Sequence, residues 1–403
     1  MEGSAVSGPL RFEVSATCSE SNARLGRVET PHGGFDTPAF MPVGTQSCVK
    51  GLWPHQVEET GSQIILNNAY HLMLRPGDAA VARRGGCHQF MRWSGPILTD
   101  SGGYQAYSMA HINRLDEDGV RFRSIVDGAW VDLGPERSME VQNNIGADII
   151  MAFDDCPPAG DPQDVVGFRK RVTTDGHRGL AHHERLRDAH ERTVRWLDRC
   201  VKAHQRPTDQ ALFGIVQGGT DLELRAASVE AICQHDLPGF AVGGVAVGER
   251  PEQIAEVVAF TAPRLPAQKP RYLMGVGYEQ DIVHAVRSGI DMFDCVLPTR
   301  NARNAQAFTR SGRMNLKNAK FAEDDAPIDS SCDCATCTGG YSRAYIRHLL
   351  NASESMAGSL VATHNLRHFQ RLMLDIRRAI RDNDWSAFRA GWPELRTDLA
   401  PLS

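Results

Sequence analysis

The sequence predicts an α/β protein, and within that class a (β/α)8 TIM barrel. Three observations carry the prediction. Short apolar runs recur from residue 62 to residue 295, each about one buried strand long and each ending in small or polar residues. Stretches with helical spacing lie between them, opening on proline and closing on glycine. No G-x-G-x-x-G follows the early runs, which weighs against the other arrangement of alternating strands and helices, a doubly wound open sheet.

Taken in chain order, residues 1–11 read as a mobile tail, and the N-terminus lacks the charged and apolar regions of a signal peptide. Residues 12–42 read as hairpins, with P-H-G-G (31–34) turning between L-G-R-V-E-T and F-D-T-P-A-F, and they would cap one barrel end. Candidate strands follow at 62–68, 95–100, 147–155, 211–219, 239–244, 271–277 and 291–295. An eighth is needed to close a barrel. Helices are expected over 133–146, 251–262 and 278–289. Segment 160–210, rich in Arg, His and Asp, reads as a long solvated helix pair; R-K-R (169–171) and five histidines (His177, His182, His183, His190, His204) fall within 155–210. Residues 341–358 and 363–392 read as closing helices. The division is therefore one barrel over 12–403 with a smaller C-terminal subdomain, about 315–385, inside it.

Composition is ordinary for a globular chain of 403 residues, with 41% hydrophobic and 23% charged residues. The formal net charge of −5 excludes a protein basic throughout, so any polyanion contact must be local. No apolar run reaches membrane-spanning length. Of ten cysteines, seven are scattered and three crowd together as Cys332, Cys334 and Cys337. Scattered thiols fit a reducing compartment, and so a cytoplasmic protein.

Barrel enzymes carry reacting groups at strand C-termini. Asp100, Asp154, Gln217, Gly244, Gly275 and Asp294 all stand at such ends. A single Asp there often caps the next helix; three, with a Gln, ask for chemistry. Two carboxylates can divide the work of a glycosyl transfer, one attacking an anomeric carbon and the other moving protons. T-D-S-G-G-Y-Q (99–105) adds a Gly-Gly turn at Gly102 and Gly103 and a ring, Tyr104, that could stack or serve as core. Asp154 and Gln217 suit a guanine edge: the carboxylate accepts from N1–H and the 2-amino group, and amide or backbone N–H groups near Gly243 and Gly244 serve O6. Met274 could cover the other ring face.

After Asp294, residues 295–320 hold Arg300, Arg303, Arg310, Arg313, Lys317 and Lys320 and no acid. Such a tract fits nucleic-acid phosphates. Cys332, Cys334 and Cys337 in C-D-C-A-T-C ask for a soft cation, Zn²⁺, completed by a fourth ligand among His348, His364 and His368.

The runs T-D-S-G-G-Y-Q, M-A-F-D-D-C, G-I-V-Q-G, A-V-G-G-V-A-V-G-E, Y-L-M-G-V-G and F-D-C-V-L-P-T-R-N-A-R-N-A-Q, with the cysteine cluster, together resemble bacterial tRNA-guanine transglycosylase from about residue 12 to the C-terminus. That resemblance implies a (β/α)8 barrel with a zinc subdomain. It implies exchange of guanine at the wobble position of G-U-N anticodons for 7-aminomethyl-7-deazaguanine, in queuosine biosynthesis. By it, Asp294 is the nucleophile that holds the RNA covalently and Asp100 the general acid/base. Asp154, Gln217 and the Gly244 backbone read the base, with Ser101, Gly102, Gly103, Gly243 and Gly275 around them. Tyr104 and Met274 sandwich it. Cys156 and Val247 favour the small aminomethyl base over queuine, and Glu249 helps set the peptide that meets the aminomethyl group near Val245. His364 becomes the fourth zinc ligand. Arg300, Asn301, Arg303, Arg313, Lys317 and Lys320 meet the tRNA anticodon stem-loop, whose target base must leave the stack. A homodimer is implied, with an aromatic patch near Phe90, Tyr341, Tyr345 and His348 as its interface. The chain departs from the family at Val245, where Leu is familiar, at Tyr341, where Trp is familiar, and in the length of segment 155–210. Two other readings stand beside this one. A sugar hydrolase explains the carboxylates but not the cysteines or the basic tract, and a non-catalytic tRNA-binding partner expects Asp100 or Asp294 to be lost.

Overall fold

A computed structural model describes residues 8–109, 112–158 and 181–395. The first seven residues of the expected tail lie outside it, as do the R-K-R run and His177. β1 (Arg11–Thr17), β2 (Arg24–Thr30) and β3 (Gly33–Thr37) form an antiparallel sheet in that order. Its second turn is the P-H-G-G hairpin, with Thr30 opposite Gly33.

The six residues after Thr37 and Pro38 differ from expectation. Ala39–Gly44 (β4) is not the end of a hairpin but the missing eighth barrel strand, buried at every position. It runs parallel to the last barrel strand on one side and to the second on the other. Pro38 and Pro42 read locally as turn signals; only the flanking strands, remote in sequence, show that A-F-M-P-V-G is barrel wall. α1 (Pro54–Glu59) leads to β5 (Ile65–Asn68). Three short helices, α2 (Ala69–Leu74), α3 (Asp78–Ala82) and α4 (Gly86–Met91), lead to β6 (Ile97–Asp100). After α5 (Gly103–Met109) comes an antiparallel sheet to which no sequence signal pointed, β7 (Ile112–Asp116), β8 (Gly119–Arg123) and β9 (Trp130–Leu133).

From there strand and helix alternate. α6 (Pro135–Ile145) starts on proline and stops at Gly146, whose left-handed φ of 75° needs no Cβ. β10 (Ile149–Met151), α7 (His182–Ala203), β11 (Ala211–Val216), α8 (Leu222–Ile232) and β12 (Gly239–Val242) follow. α9 (Pro251–Thr261), β13 (Arg271–Leu273), α10 (Glu279–Ser288), β14 (Met292–Cys295) and α11 (Leu297–Arg303) complete the ring. The barrel is closed in the order β4-β5-β6-β10-β11-β12-β13-β14, with every pairing parallel.

α7 corrects a second expectation. Of the helix pair expected over 160–210, residues 160–180 lie outside the described residues, and His182–Ala203 form one 22-residue helix that is not solvated throughout. His183, Glu184, Arg187, Glu191, Arg195 and Asp198 are exposed, but Leu186 and Ala189 are buried and Trp196, Leu197 and Cys200 join the main core. The pattern is amphipathic, and the density of charge hid the apolar stripe. A hairpin, β15 (Gln306–Thr309) and β16 (Gly312–Asn315), opens the C-terminal region. α12 (Ala335–Thr338), α13 (Arg343–Asn351), α14 (Ser355–Asp382) and α15 (Trp385–Gly391) follow. The 28-residue α14 also closes onto the barrel, since Gln370 Nε2 donates to Phe40 O at 3.0 Å and Arg377 to Pro38 O at 2.7 Å.

Side chains fill the barrel interior, among them Met41, Leu66, Leu98, Met151, Phe213 and Met292, and Val28 and Phe35 of the N-terminal sheet join the same cluster from below. The sheet is thus the plug expected at one end. Arg24 locks it there: its buried guanidinium donates to Asp291 Oδ1 at 2.8 Å and to the carbonyls of Ala267 and Lys269. Asp291 also accepts the Arg271 N–H at 2.7 Å. Arg24→Ala would leave the wholly buried Asp291 carboxylate without its cation. We expect a loss of about 3–5 kcal/mol, read from urea unfolding; a loss below about 1 kcal/mol would show that the pair does not hold the plug.

Candidate active site

Asp100 is the last residue of β6, level with Asn68 at the end of β5. Asn68 Nδ2 donates to Asp100 Oδ2 at 2.6 Å, Gln105 Nε2 donates to the same oxygen at 2.9 Å, and Ala69 N–H donates to Oδ1 at 3.0 Å. Asn68 is itself held, because its Oδ1 caps α2 by accepting His71 N–H. None of these partners is a cation. Burial pushes the Asp100 carboxyl up to about 7; the Ala69 N–H opposes this, and the charge of Asp294 adds to it. The carboxyl can therefore hold a proton near neutrality and also give it up.

Asp294 stands in β14, close enough for its charge to raise Asp100. Its Oδ1 accepts from Tyr272 Oη at 2.6 Å and from Gly275 N–H at 2.7 Å. Burial raises its pKa, while both donors favour the ionised form. Burial and the nearby Asp294 charge raise the Tyr272 phenol well above its usual range, so it stays a donor. Sequence reasoning missed Asn68, Gln105 and Tyr272. Tyr272 sits inside an apolar run, and nothing local says that its hydroxyl reaches a carboxylate 22 residues on.

The second group gathers beside these acids. Gln217 Nε2 donates to Asp154 Oδ2 at 2.5 Å. Burial pushes Asp154 up to about 7, against the Gln217 bond and with the charge of Asp155. Asp155 points the other way, into α7. There it takes two bonds from Arg185, at 2.7 and 3.0 Å, and one from Arg192, and its N–H donates to Thr193 Oγ1 at 3.1 Å. The adjacent carboxylates thus have separate tasks, one exposed to the pocket and one clamped behind it.

Cys156 is buried in the same wall, its thiol pushed up by burial and by Asp154. Ser101 Oγ accepts Gly103 N–H at 3.3 Å and bonds Asp154, while the Ser101 carbonyl is held by Ser138. Gly102, at φ 80°, packs on the Tyr70 backbone, and a Cβ on Gly103 would lie 3.1 Å from Asp154 O. A Cβ on Gly244, at φ 62°, would collide with Gln217 Oε1, and one on Gly243 would press on Ile215. Beyond them Val245 is buried and Val247 half-buried. Glu249 bridges the turn, accepting Val247 N–H at 2.9 Å and Ala246 N–H. Met274 is half-buried against the barrel interior. The Tyr104 ring is 44% exposed, with its hydroxyl in the field of Cys156 and Glu249. Among the pocket residues expected from the sequence, Ser101, Gly103, Asp154, Cys156, Gln217 and Gly244 are linked to one another by these contacts.

The basic tract divides. Arg300 and Arg303 end α11, next to β14, with Asn301 half-buried between them. Arg313 lies over the exposed Tyr278 ring, 5.1 Å from its centroid, and Lys317 and Lys320 are exposed. Arg310 differs: it pairs with Asp375 at 2.7 Å and stacks on Trp392, so it braces α14 and α15 instead of facing solvent. In the C-terminal region Cys332, Cys334, Cys337 and His364 are all buried, with ligand atoms within 4.8 Å of one another, a group able to hold a metal ion. His364 Nε2 lies 2.7 Å from Phe308 O, which leaves Nδ1 facing Cys337 Sγ at 3.4 Å and Cys334 Sγ at 3.7 Å. His348 is exposed on α13, and His368 bonds Glu279 at 3.0 Å, so neither is the fourth ligand. Tyr341 and Tyr345 stack at 6.1 Å, and Tyr345 and Phe90 are exposed.

The family model described as Queuine tRNA-ribosyltransferase matches residues 18–397. A queuine tRNA-ribosyltransferase from Nostoc sp. is 51% identical over 375 residues, covering 93% of this chain and 94% of the relative. One from Lysinibacillus sphaericus is 48% identical over 380 residues, covering 94% of each. One from Bacillus cereus is 49% identical over 380 residues, covering 94% and 95%.

Asp100 and Asp154 keep their protons to about pH 7 in the folded chain, against an ordinary value of 3.8. Between those limits the folded state binds more protons than the unfolded one, so these groups make stability fall as pH rises. Asp154→Asn removes one of them. The variant should lose less of its urea midpoint between about pH 5 and pH 8 than the parent does; an equal loss would mean that Asp154 is already ionised in the fold.

Proposed function

From its membership of the queuine tRNA-ribosyltransferase family, we propose that this enzyme exchanges the wobble guanine of tRNA for 7-aminomethyl-7-deazaguanine, through a covalent Asp294–tRNA intermediate. One observation supports the mechanism: two buried carboxylates, Asp100 and Asp294, stand at strand ends with the Asp154–Gln217 pair, and neutral donors hold them rather than cations.

The steps follow from what each group can do. Asp294, its Oδ1 fixed by Tyr272 and Gly275, attacks C1′ of the target nucleotide, and the glycosidic bond to guanine breaks. Asp100, protonated near neutrality, supplies the proton that the departing base needs. The incoming base gives its ring N–H proton back to Asp100 and attacks C1′, freeing Asp294. Guanine and its 7-substituted analogue share one Watson–Crick edge. Asp154, Gln217 and the Gly244 N–H can therefore read both in turn, with Tyr104 and Met274 on the ring faces. Ser101, Gly102, Gly103, Gly243 and Gly275 keep the backbone close. Cys156 and Val247 leave room for a small 7-substituent, whose cation would meet the carbonyl side of the peptide at Val245 that Glu249 braces. Both Asp100 and Asp294 are present, which speaks against a non-catalytic RNA-binding partner.

Arg300, Asn301, Arg303, Arg313, Lys317 and Lys320 are the groups we assign to the anticodon stem-loop, with affinity falling as salt rises. A second copy of the chain would dock at the Tyr341–Tyr345 patch and orient the tRNA. The metal group fits Zn²⁺: three sulfurs and one imidazole nitrogen would supply the four ligands of a closed site. Bound zinc would hold the shape of residues about 315–385 within the 12–403 unit, and its role is structural. The tRNA substrate and ten free cysteines fit the cytoplasm; no helix among the described residues is long and apolar enough to cross a membrane.

With tRNA carrying labelled wobble guanine, adding 7-aminomethyl-7-deazaguanine should release the label. Asp294→Ala should abolish both release and the covalent adduct, and substantial residual exchange would falsify the nucleophile assignment. Zinc measured by emission spectroscopy should approach one per chain in the parent. Cys334→Ser should lower it and destabilise the C-terminal region; unchanged zinc content would count against this ligand set.

A further inference from the structure

Arg225 of α8 is wholly buried, yet no carboxylate is among its hydrogen-bond partners. Its guanidinium is spent on carbonyls from two strand-end loops. Nε donates to Gly219 O at 2.9 Å, Nη1 to Val216 O at 3.0 Å and Gly243 O at 2.7 Å, and Nη2 to Gly244 O at 3.1 Å. These four carbonyls bracket Gln217 on one loop and the Gly243–Gly244 peptide on the other.

We propose that Arg225 is a positioning residue for base recognition: by gripping these carbonyls it aims Gln217 and the Gly244 N–H at the six-membered edge of a 6-oxopurine. The proposal rests on the base-exchange reading and deepens it. The Gly243–Gly244 bond is not among the cis peptides. In a trans peptide the C=O and the following N–H point in opposite directions. Drawing the Gly243 carbonyl onto Nη1 therefore turns the Gly244 N–H away from Arg225 and into the pocket, and that N–H does face the Cys156 sulfur. On the other loop, Val216 O meets Nη1, and the Gln217 N–H of the same peptide is taken by Ser228 Oγ of α8 at 3.0 Å. One helix thus sets the backbone under the Gln217 side chain. Glycine at 243 and 244 leaves the loop no side chains to hold it, so its orientation depends on these bonds.

The planar fork of arginine matters, since four acceptors in two loops need donors in fixed directions. Burial lowers the Arg225 pKa to about 10, so it stays charged at neutral pH, and the carboxylate whose charge acts on it, Glu249, is already committed to Ala246 and Val247. The positive charge therefore bears on the carbonyl dipoles. It strengthens the Gly244 N–H as a donor to a base oxygen that gains charge as guanine leaves.

The test uses Arg225→Lys and Arg225→Ala in the guanine-exchange assay with tRNA. KM for free guanine and kcat at saturating guanine are read separately, alongside thermal midpoints and the effect of added millimolar guanidinium. KM for guanine should rise roughly tenfold or more in both variants, on the scale of one hydrogen bond to a charged group. Guanidinium should lower it again in Arg225→Ala but not in Arg225→Lys, where the ammonium occupies the site. A purely structural role would lower the thermal midpoint and the active fraction, and so kcat, with KM unmoved; that result overturns the proposal. If Arg225→Ala does not fold, the guanine KM of Arg225→Lys decides alone. Parent enzyme that exchanges guanine, together with an unchanged KM in Arg225→Lys, rejects Arg225 only; parent enzyme that exchanges no guanine rejects the base-exchange reading on which it rests.

Discussion

The pairing of Ala39–Gly44 with Met292–Cys295 is the constraint on which the rest depends. It joins the last barrel strand to the first and turns an open parallel sheet into a closed ring. Closure brings the C-terminal ends of all eight strands to one mouth. Asp294, level with Met41 on that seam, can then face Asp100, level with Asn68 on β5. In an open sheet the edge strands would stand apart, and the two carboxyls would not feel one another.

The two ends of the barrel give buried acids different partners, although burial raises Asp291 at the N-terminal end as well. At the N-terminal end, burial alone would raise the Asp148 carboxyl. His32 at 2.7 Å and His88 at 3.1 Å, with the Ile97 N–H, outweigh that and hold it well below the usual range. Arg24 grips Asp291 with two bonds. These acids are paired and serve as fasteners for the N-terminal sheet. At the C-terminal end Asp100, Asp154 and Asp294 have amide, hydroxyl and backbone donors but no cation among those bonds, and burial lifts all three. Burial among neutral donors leaves Asp100 and Asp154 titrating near neutrality, as proton transfer at that pH requires. Arg24 and two histidines thus partner the acids at one end, and amides, hydroxyls and backbone N–H groups those at the other.

Supporting residues behind the mouth carry much of this arrangement. Arg185 and Arg192 turn Asp155 into α7, so that its neighbour Asp154 is left for the pocket. The helix responsible has so many charges that its sequence reads as solvated surface. Arg225 likewise sits in an unremarkable run, L-E-L-R-A-A, and Tyr272 inside a hydrophobic strand. Each acts on an element distant in sequence, so no local pattern marks it.

The sequence by itself determined the fold class, seven of the eight barrel strands, the acids and glycines at the strand ends, and the three clustered cysteines. Those signals are local: apolar runs of strand length, turn residues at their ends and ligand spacing within a few residues. The tertiary structure alone decided which strand closes the ring and which histidine joins the cysteines by geometry. It also decided that Arg310 braces a helix while Arg300 and Arg303 stand beside β14, and which donors set each carboxyl. The physical reason is common to all of these: burial and hydrogen-bond partners arise between segments far apart in the chain, and a carboxyl's proton affinity is a property of that assembled surrounding, not of the residue.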